Sequence, residues 1–189
     1  MTNLTKTQGD FLLKLARDTL TAHLSGKKSE KLKEHVPLLD EKRGVFVTLH
    51  TKDGHLRGCI GYPEPVEPLI KAVSECAIHA AASDPRFPKV TEPELKDLKI
   101  EITVLTVPEF LDAKHYAHYN FDIVLGDDGL IVEQGSHKGL LLPQVATEWG
   151  WNEKQFLEHT CEKAGLPKDA WKDVEKTKIY KFQGQIFKE

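Results

Sequence analysis

The chain has few cysteines and little excess charge. Its three cysteines, Cys59, Cys76 and Cys161, are far apart, and no CxxC or Cys/His zinc spacing includes them. This pattern excludes a disulfide scaffold and a structural zinc site, and it predicts reduced thiols. The net charge is −3, whereas a general nucleic-acid binder carries an excess of basic residues. We therefore expect no nucleic-acid partner of that kind, but a local basic pocket remains an alternative.

Long apolar runs and established catalytic motifs are also absent. No segment approaches the roughly 18 apolar residues of a membrane span. Gly9, Asp10 and Arg17 interrupt the first twenty residues, unlike a secretory signal. We therefore expect a cytoplasmic protein with no membrane contact. The sequence contains no P-loop, dinucleotide GxGxxG, GxSxG, HExxH or RNA-recognition motif, and we expect no cofactor.

Apolar periodicity predicts an alternation of helices and strands. Helices are expected at 7–24, at 66–82 after Pro65, at 143–149, and from an Asn152 cap onward. Strands are expected at 45–51, 55–60 and 99–107, two or three more within 121–142, and a last one at 177–189. A capping box is predicted at Thr91 and Glu94. Adjacent antiparallel strands with separate helices indicate an α+β fold, mainly an antiparallel sheet with flanking helices.

A hairpin is predicted over residues 45–60, because Asp53-Gly54 favours a two-residue turn. This turn pairs Lys52 with His55, His50 with Arg57, Thr48 with Cys59, and Val47 with Ile60. One face then carries Val45, Val47, Leu49, Leu56 and Ile60, and the other carries Thr48, His50, Arg57 and Cys59. We expect the first face to pack in the core.

Cys59 is the candidate catalytic residue. It shares a face with Arg57, about 6.5 Å along the strand. A thiol near fixed positive charge can lose its proton near neutral pH and act as a nucleophile or a metal ligand. Two alternatives stay open: partial exposure in a groove without chemistry, and packing as a small buried hydrophobe. We include Arg57 and His50 as candidate binding residues, and expect Arg57→Ala to change stability by no more than about 0.5 kcal/mol.

Two glycines flank Cys59. Bare backbone at Gly58 and Gly61 allows close approach by a ligand or by the small-sided helix predicted at 66–82. Gly58 falls on the core face with Leu56, and we predict that it is a packing glycine. Gly61 falls at the exit of the strand on the face of Cys59, and we predict that it is the glycine of a binding site.

Four segments occur in the order seen in the AMMECR domain family. They are LRGCIG at 56–61, AAASDPRF at 80–87, EITVL at 101–105 and GLLLPQVATEWGW at 139–151. On these segments the chain is identified as a member of that family, and the resemblance extends over nearly its whole length. It implies a single domain of residues 1–189, with a larger and a smaller lobe and a groove between them.

The resemblance implies partners but no reaction. Domains of this kind resemble partners of a Memo-like protein and a radical SAM enzyme that are encoded together. That association suggests a role in modifying a substrate, and it identifies neither the substrate nor the chemistry.

Two other segments carry candidate residues. In SDPRF, Asp84 and Arg86 either form an internal cap or ion pair, or Arg86 joins Arg57 in holding a phosphate or carboxylate; both are included as candidate binding residues. His115 and His118 have the i, i+3 spacing of a helical metal pair. A surface loop explains that HYAHY segment better, and we expect no metal site.

Three functional hypotheses remain at this stage. The first is an accessory or binding component that holds a small anionic ligand or a partner in a groove lined by LRGCIG. The second is an enzyme that uses Cys59 as a nucleophile or transfer thiol. The third is an RNA-binding adapter for a modification system.

Overall fold

The computed structural model describes residues 3–27, 39–112 and 119–189, without the side chains of residues 120 and 121. Its helices are α1 (Lys6–Leu24), α2 (Leu69–Ala82), α3 (Tyr119–Asp122), α4 (Pro143–Trp149) and α5 (Glu153–Lys163), with 3₁₀ helices at Glu92–Asp97 and Ala170–Lys172. Its strands are β1 (Val45–His50), β2 (Leu56–Tyr62), β3 (Lys99–Leu105), β4 (Glu109–Phe110), β5 (Asp128–Gln134), β6 (His137–Leu141) and β7 (Lys178–Lys188).

The described elements confirm the α+β class. The strand pairs β1–β2, β1–β3, β4–β7, β5–β6 and β5–β7 are all antiparallel. The chain forms two compact units. The first comprises Met1–Leu105 with Gln185–Glu189, and the second comprises Thr106–Gly184.

In the first unit, helices α1 and α2 cover one face of a sheet with the order β2-β1-β3. Alternate residues of β1 and β3 point into this core, and Val45, Val47 and Leu49 are fully buried. Helix α1 begins at the Thr5 cap, where Thr5 and Gln8 form a capping box. The predicted helix at 7–24 is confirmed.

The hairpin of β1 and β2 has the predicted central register but a different turn. Thr48 lies opposite Cys59 and Val47 opposite Ile60, as expected. The turn, however, is closed by Thr51 and His55, so its loop has three residues and ends at Gly54, with φ of 86°.

A β-bulge compensates for the longer loop. His50 lies opposite Leu56 while Leu49 lies opposite Gly58, which leaves Arg57 as the extra residue. The prediction that His50 lies opposite Arg57 is therefore wrong. The bulge also exchanges the two sheet faces for the residue that precedes it in β2. Leu56, which was predicted to lie in the core, is therefore 39% exposed.

Helix α2 begins three residues later than predicted, with Pro68 as its cap, and ends as predicted at Ala82. It packs on β1 and β2 through small side chains. A Cβ atom placed on Gly58 would overlap the Ala80 carbonyl oxygen. This supports the prediction of Gly58 as a packing glycine, since any side chain there would push the helix off the sheet.

The second unit has its own core. Its strand order is β6-β5-β7-β4, and α5 packs on β5 and β6. The fully buried residues Phe156, Leu157 and Cys161 of α5 lie in this core. The predicted Asn152 cap is confirmed, because the Asn152 side chain accepts a hydrogen bond from the Gln155 N–H.

Candidate functional site

The first unit places the predicted site residues around the outer strand β2. We call the sheet face turned away from α1 and α2 the polar face. Its half-buried residues are Phe46, Thr48, His50, Cys59, Gly61, Glu101 and Thr103. The face follows from strand alternation, because the intervening residues of β1 and β3 are buried in the core.

Cys59 is held in place by side-chain and main-chain contacts. The Thr48 hydroxyl donates to the Cys59 sulfur across a distance of 3.2 Å. The Cys59 N–H donates to Asp84 Oδ2 at 2.8 Å, and the Cys59 carbonyl accepts from Arg86 Nη2 at 3.2 Å. Both main-chain groups of this edge residue are therefore occupied, as they would be beside another strand.

Asp84 and Arg86 form the internal ion pair that the sequence left as one of two alternatives. Arg86 Nη2 lies 2.7 Å from Asp84 Oδ2, and Arg86 Nε lies 3.0 Å from Oδ1. The Asp84 side chain is only 2% exposed. The Arg86 hydrogen bond, with main-chain donors from Cys59 and Arg86, holds the pKa of Asp84 well below its usual range. A binding role for the pair stays a prediction.

Arg57 pairs with Glu94, whereas the sequence analysis placed it opposite His50. Its guanidinium contacts Glu94 through Nε, 2.7 Å from Oε1, and Nη2, 3.3 Å from Oε2. Nη1 also donates to the Pro88 carbonyl at 2.9 Å. The Arg57 side chain is 12% exposed. The Arg57 hydrogen bond is the main reason that the pKa of Glu94 is lowered.

The same carboxylate completes the predicted capping box. Glu94 Oε2 accepts from the Thr91 N–H at 3.1 Å, at the start of the 3₁₀ helix. Glu94 therefore joins the bulge residue of β2 to the segment before β3. The sequence signal for the cap was available, but the link from Glu94 to Arg57 was missed because nothing local connects them.

His50 lies on the polar face beside Glu101. The distance from His50 Nε2 to Glu101 Oε2 is 3.7 Å, which is an ion pair when the imidazole is protonated but too long for a hydrogen bond. Lys188 Nζ lies 2.9 Å from the same carboxylate oxygen. Glu101 and Thr48 were not selected from the sequence, although the polar alternation of the EITVL segment could have indicated Glu101.

Gly61 lies on the polar face, as predicted, but its missing side chain has a packing reason. A Cβ atom there would overlap the Phe46 ring and the Val45 carbonyl oxygen. The role of Gly61 in a binding site stays a prediction.

The other two cysteines differ from Cys59 in burial. Cys76 and Cys161 are fully buried, whereas Cys59 is half-buried, and all three are free. Burial raises the pKa of Cys76 and that of Cys161 to about 11. Both thiols therefore stay protonated at neutral pH, and Cys59 is the one whose position suits chemistry or binding.

Two predicted absences concern metals and membranes. Among the described residues, no cluster of three or more His, Cys, Asp or Glu side chains has the geometry of a metal site. His115 and His118 lie outside those residues. No helix in the described ranges combines the length and apolar character needed to span a membrane.

Comparisons with known proteins all point to the same protein family. A family model described as AMMECR1 matches residues 13–187. A protein of Methanothermobacter thermautotrophicus is 54% identical over 187 residues, which are 98% of this chain and 96% of that protein. Protein MJ0810 of Methanocaldococcus jannaschii is 48% identical, with coverage of 98% and 92%.

A solved structure gives the same result for the fold. The crystal structure of the uncharacterized protein PH0010 from Pyrococcus horikoshii matches with a TM-score of 0.81 at 47% identity. The match covers 98% of this chain and 93% of that one. The names of these three relatives state no ligand, substrate or reaction. The comparisons therefore identify the family, and any function has to be argued from the residues of the site.

Proposed function

Because this chain belongs to the AMMECR1 family, we propose that it is an accessory binding subunit whose polar face around Cys59 holds a partner protein. The proposed partners are the Memo-like protein and the radical SAM enzyme that the family resemblance implies. The proposed compartment is the cytoplasm, where free cysteines such as these stay reduced.

The surroundings of the Cys59 sulfur carry this proposal. A catalytic cysteine is commonly activated by a base within hydrogen-bond reach. Within the described part of the chain, the sulfur is hydrogen-bonded to the Thr48 hydroxyl, and neither a histidine nor a carboxylate side chain bonds to it. The imidazole on the same face, His50, is directed to Glu101. These contacts suit a fixed binding surface better than a nucleophile with its base.

The arginines favour a protein partner over a small anion. Arg57 is paired with Glu94, and Arg86 is paired with Asp84. An anionic ligand would have to compete with an internal carboxylate for either guanidinium. A partner protein needs no such exchange, because it can use the hydroxyl, thiol and aromatic groups of the polar face.

Blocking the Cys59 thiol tests the proposal. The wild-type protein is alkylated with N-ethylmaleimide, and its binding to the purified Memo-like protein and radical SAM enzyme of the same genome is measured by calorimetry. Cys76 and Cys161 are buried and escape this treatment. The control is Cys59→Ser carried through the same treatment.

We expect alkylation to weaken binding by about tenfold or more, because the added group prevents close contact over the face. The treatment should leave binding by Cys59→Ser unchanged. Equal binding by alkylated and untreated wild-type protein would contradict the role of the polar face. Absence of binding by untreated protein would contradict the choice of partners.

One observation favours an enzyme as the second candidate. Arg86 lies beside Cys59, and its pKa is raised mainly by its hydrogen bond to Asp84, with smaller contributions from Cys59. Arg86, which also donates to the Cys59 carbonyl, is therefore the cation that we propose would assist the thiol. The test is the rate of iodoacetamide alkylation of Cys59 at pH 7 relative to glutathione. A rate about 100-fold faster would favour a catalytic thiol over the binding subunit.

A further inference from the structure

Three aromatic rings form a stack at the junction of α4 and α5 in the second unit. The Trp149 and Trp151 rings are 6.0 Å apart between centroids, at an interplanar angle of 19°. The Trp151 ring lies 3.9 Å from the His159 imidazole at 18°. We call Trp149, Trp151 and His159 together the aromatic platform. Its middle ring is anchored, because Trp151 packs against the core of the second unit.

The main chain holds the platform in a fixed geometry. Gly150, with φ of 64°, ends α4 in the left-handed region, and the Trp151 N–H donates to the Ala146 carbonyl at 2.9 Å. Asn152 then caps α5 through Gln155. Since both ends of the short connection are capped, the two indoles are presented without the entropy cost of a flexible loop.

Trp149 is not needed for the core. The residue is 71% exposed, although tryptophan is among the side chains that bury the most surface in folded proteins. It is the last residue of α4, at the outer end of the stack. An exposed, rigid indole is the kind of side chain that dominates binding energy at protein interfaces.

The charges beside the platform indicate the sign of its ligand. Between residues 148 and 163 the sequence has four glutamates and two lysines. Glu148 directly precedes Trp149, and Glu153 begins α5. Neither carboxylate forms an ion pair with another residue in the described ranges, whereas Glu158 and Glu162 both have lysine partners.

We propose that the aromatic platform binds an arginine-bearing basic segment of a partner protein. A guanidinium can stack on the outer face of Trp149 and at the same time pair with a carboxylate, which a lysine ammonium does less well. The acidic surroundings disfavour the alternative of a stacked nucleobase, because the attached phosphates would be repelled. This site lies in the second unit and does not depend on the polar-face proposal.

Synthetic peptides test the platform directly. The probes are the peptides (Gly-Arg)₆, (Gly-Lys)₆ and (Gly-Glu)₆, together with a single-stranded oligouridylate. Binding to the full chain is measured by calorimetry and by NMR shifts of the tryptophan indole N–H signals. The variants are Trp149→Ala and the double variant Glu148→Gln with Glu153→Gln. The control is Phe110→Ala, which removes another exposed ring of the same unit.

We expect the arginine peptide to bind more tightly than the lysine peptide and to shift the Trp149 indole signal. Trp149→Ala should weaken binding by about fivefold or more, the glutamine variant should also weaken it, and Phe110→Ala should not. The proposal is overturned if Trp149→Ala binds the arginine peptide as wild type does. It is also overturned if the oligouridylate binds better, or if sedimentation shows a dimer of the chain that Trp149→Ala converts to a monomer.

Discussion

At the scale of single residues, two charged side chains explain how the segment around Cys59 is held. Arg57 contacts both a carboxylate and a main-chain carbonyl, and Asp84 accepts from both a guanidinium and main-chain N–H groups. Such charge-assisted bonds to the backbone fix position more firmly than a surface ion pair does. Each residue therefore has a measurable effect on folding that is separate from any role in binding.

Arg57→Ala is expected to destabilise the first unit by about 1–3 kcal/mol, because it leaves Glu94 and the Pro88 carbonyl without their partner. Glu94 is 36% exposed, which keeps the loss below that of a fully buried pair. The contacts of Arg57 therefore lead us to expect a larger loss of stability than the sequence alone indicated. Urea unfolding measures the change, with Lys52→Ala in the exposed turn as the control. A change within about 0.5 kcal/mol would instead support the expectation from sequence that Arg57 is not needed for stability.

Asp84 is expected to make stability depend on pH. The unfolded carboxyl has a pKa of about 3.9, and the folded pKa is lower, so folding favours the carboxylate. Its contribution is full above roughly pH 5 and is lost as the pH falls, by up to about 1.4 kcal/mol per pH unit below the unfolded pKa.

The measurement compares the free energy of unfolding of wild type and Asp84→Asn between pH 7 and pH 3. We expect the variant to be less stable at pH 7 and the gap to shrink toward pH 3. Asp10→Asn, which alters an exposed ion pair on α1, provides the control. A gap that stays constant over this range would contradict the depressed pKa of Asp84.

At the scale of elements, β2 is fastened on both of its sides. One side pairs with β1, and on the other side Asp84 and Arg86 occupy the main chain at Cys59. Its two glycines meet different neighbours. Gly58 faces the α2 backbone at Ala80, whereas Gly61 faces the Phe46 ring and the Val45 carbonyl.

Gly58→Ala is expected to be the more destabilising of the two alanine substitutions, at about 1–3 kcal/mol, because backbone must move away from backbone. Gly61→Ala should cost less, because part of its overlap is with the Phe46 ring, which can rotate, although the overlap with the Val45 carbonyl oxygen remains. A double-mutant cycle with Phe46→Ala measures this, and we expect Phe46→Ala to relieve part of the cost at Gly61 only. If Gly61→Ala proves the more destabilised, the assignment of the two glycines is wrong.

The hairpin shows how far sequence reasoning reached at this scale. The predicted two-residue turn placed Thr48 opposite Cys59, and the segregation of apolar and polar residues onto opposite faces supported that register, which the structure confirms. The predicted loop was one residue too short, and the extra residue of the bulge at Arg57 was not predicted. These two errors cancel in the pairing of Thr48 with Cys59. A bulge stabilised by Glu94, 37 residues further along, leaves no local signal.

Caps were predicted more reliably than contacts within the site. Thr91 and Asn152 were identified correctly, because a cap depends on residues three positions apart. The pairing of Arg57 with Glu94, and of His50 with Glu101, depends on strand order and register. Those contacts could only be seen in the folded chain.

At the scale of the whole molecule, the described residues form two hydrophobic cores, and each contains one cysteine. Cys76 of α2 lies in the core of the first unit, and Cys161 of α5 lies in the core of the second. Cys59 is outside both clusters of buried residues. The three thiols therefore differ in accessibility within one polypeptide.

A thiol titration is expected to distinguish them. In native protein at pH 7, Ellman's reagent should react promptly with Cys59 alone, because the other two thiols are buried and have their pKa raised to about 11. All three should react in guanidinium chloride. Cys59→Ser should abolish the prompt phase. Prompt reaction of a second thiol in native protein would contradict the burial of Cys76 or Cys161.

The two buried cysteines, Cys76 in the first unit and Cys161 in the second, can each report the local opening of the unit that contains it. Under native conditions, slow labelling of Cys76 requires the first unit to open, and slow labelling of Cys161 requires the second to open. Mass spectrometry of each labelled peptide over time therefore yields an opening free energy for each unit, without an introduced probe. Equal values would indicate that the chain unfolds as one cooperative body, and unequal values would rank the two units by stability.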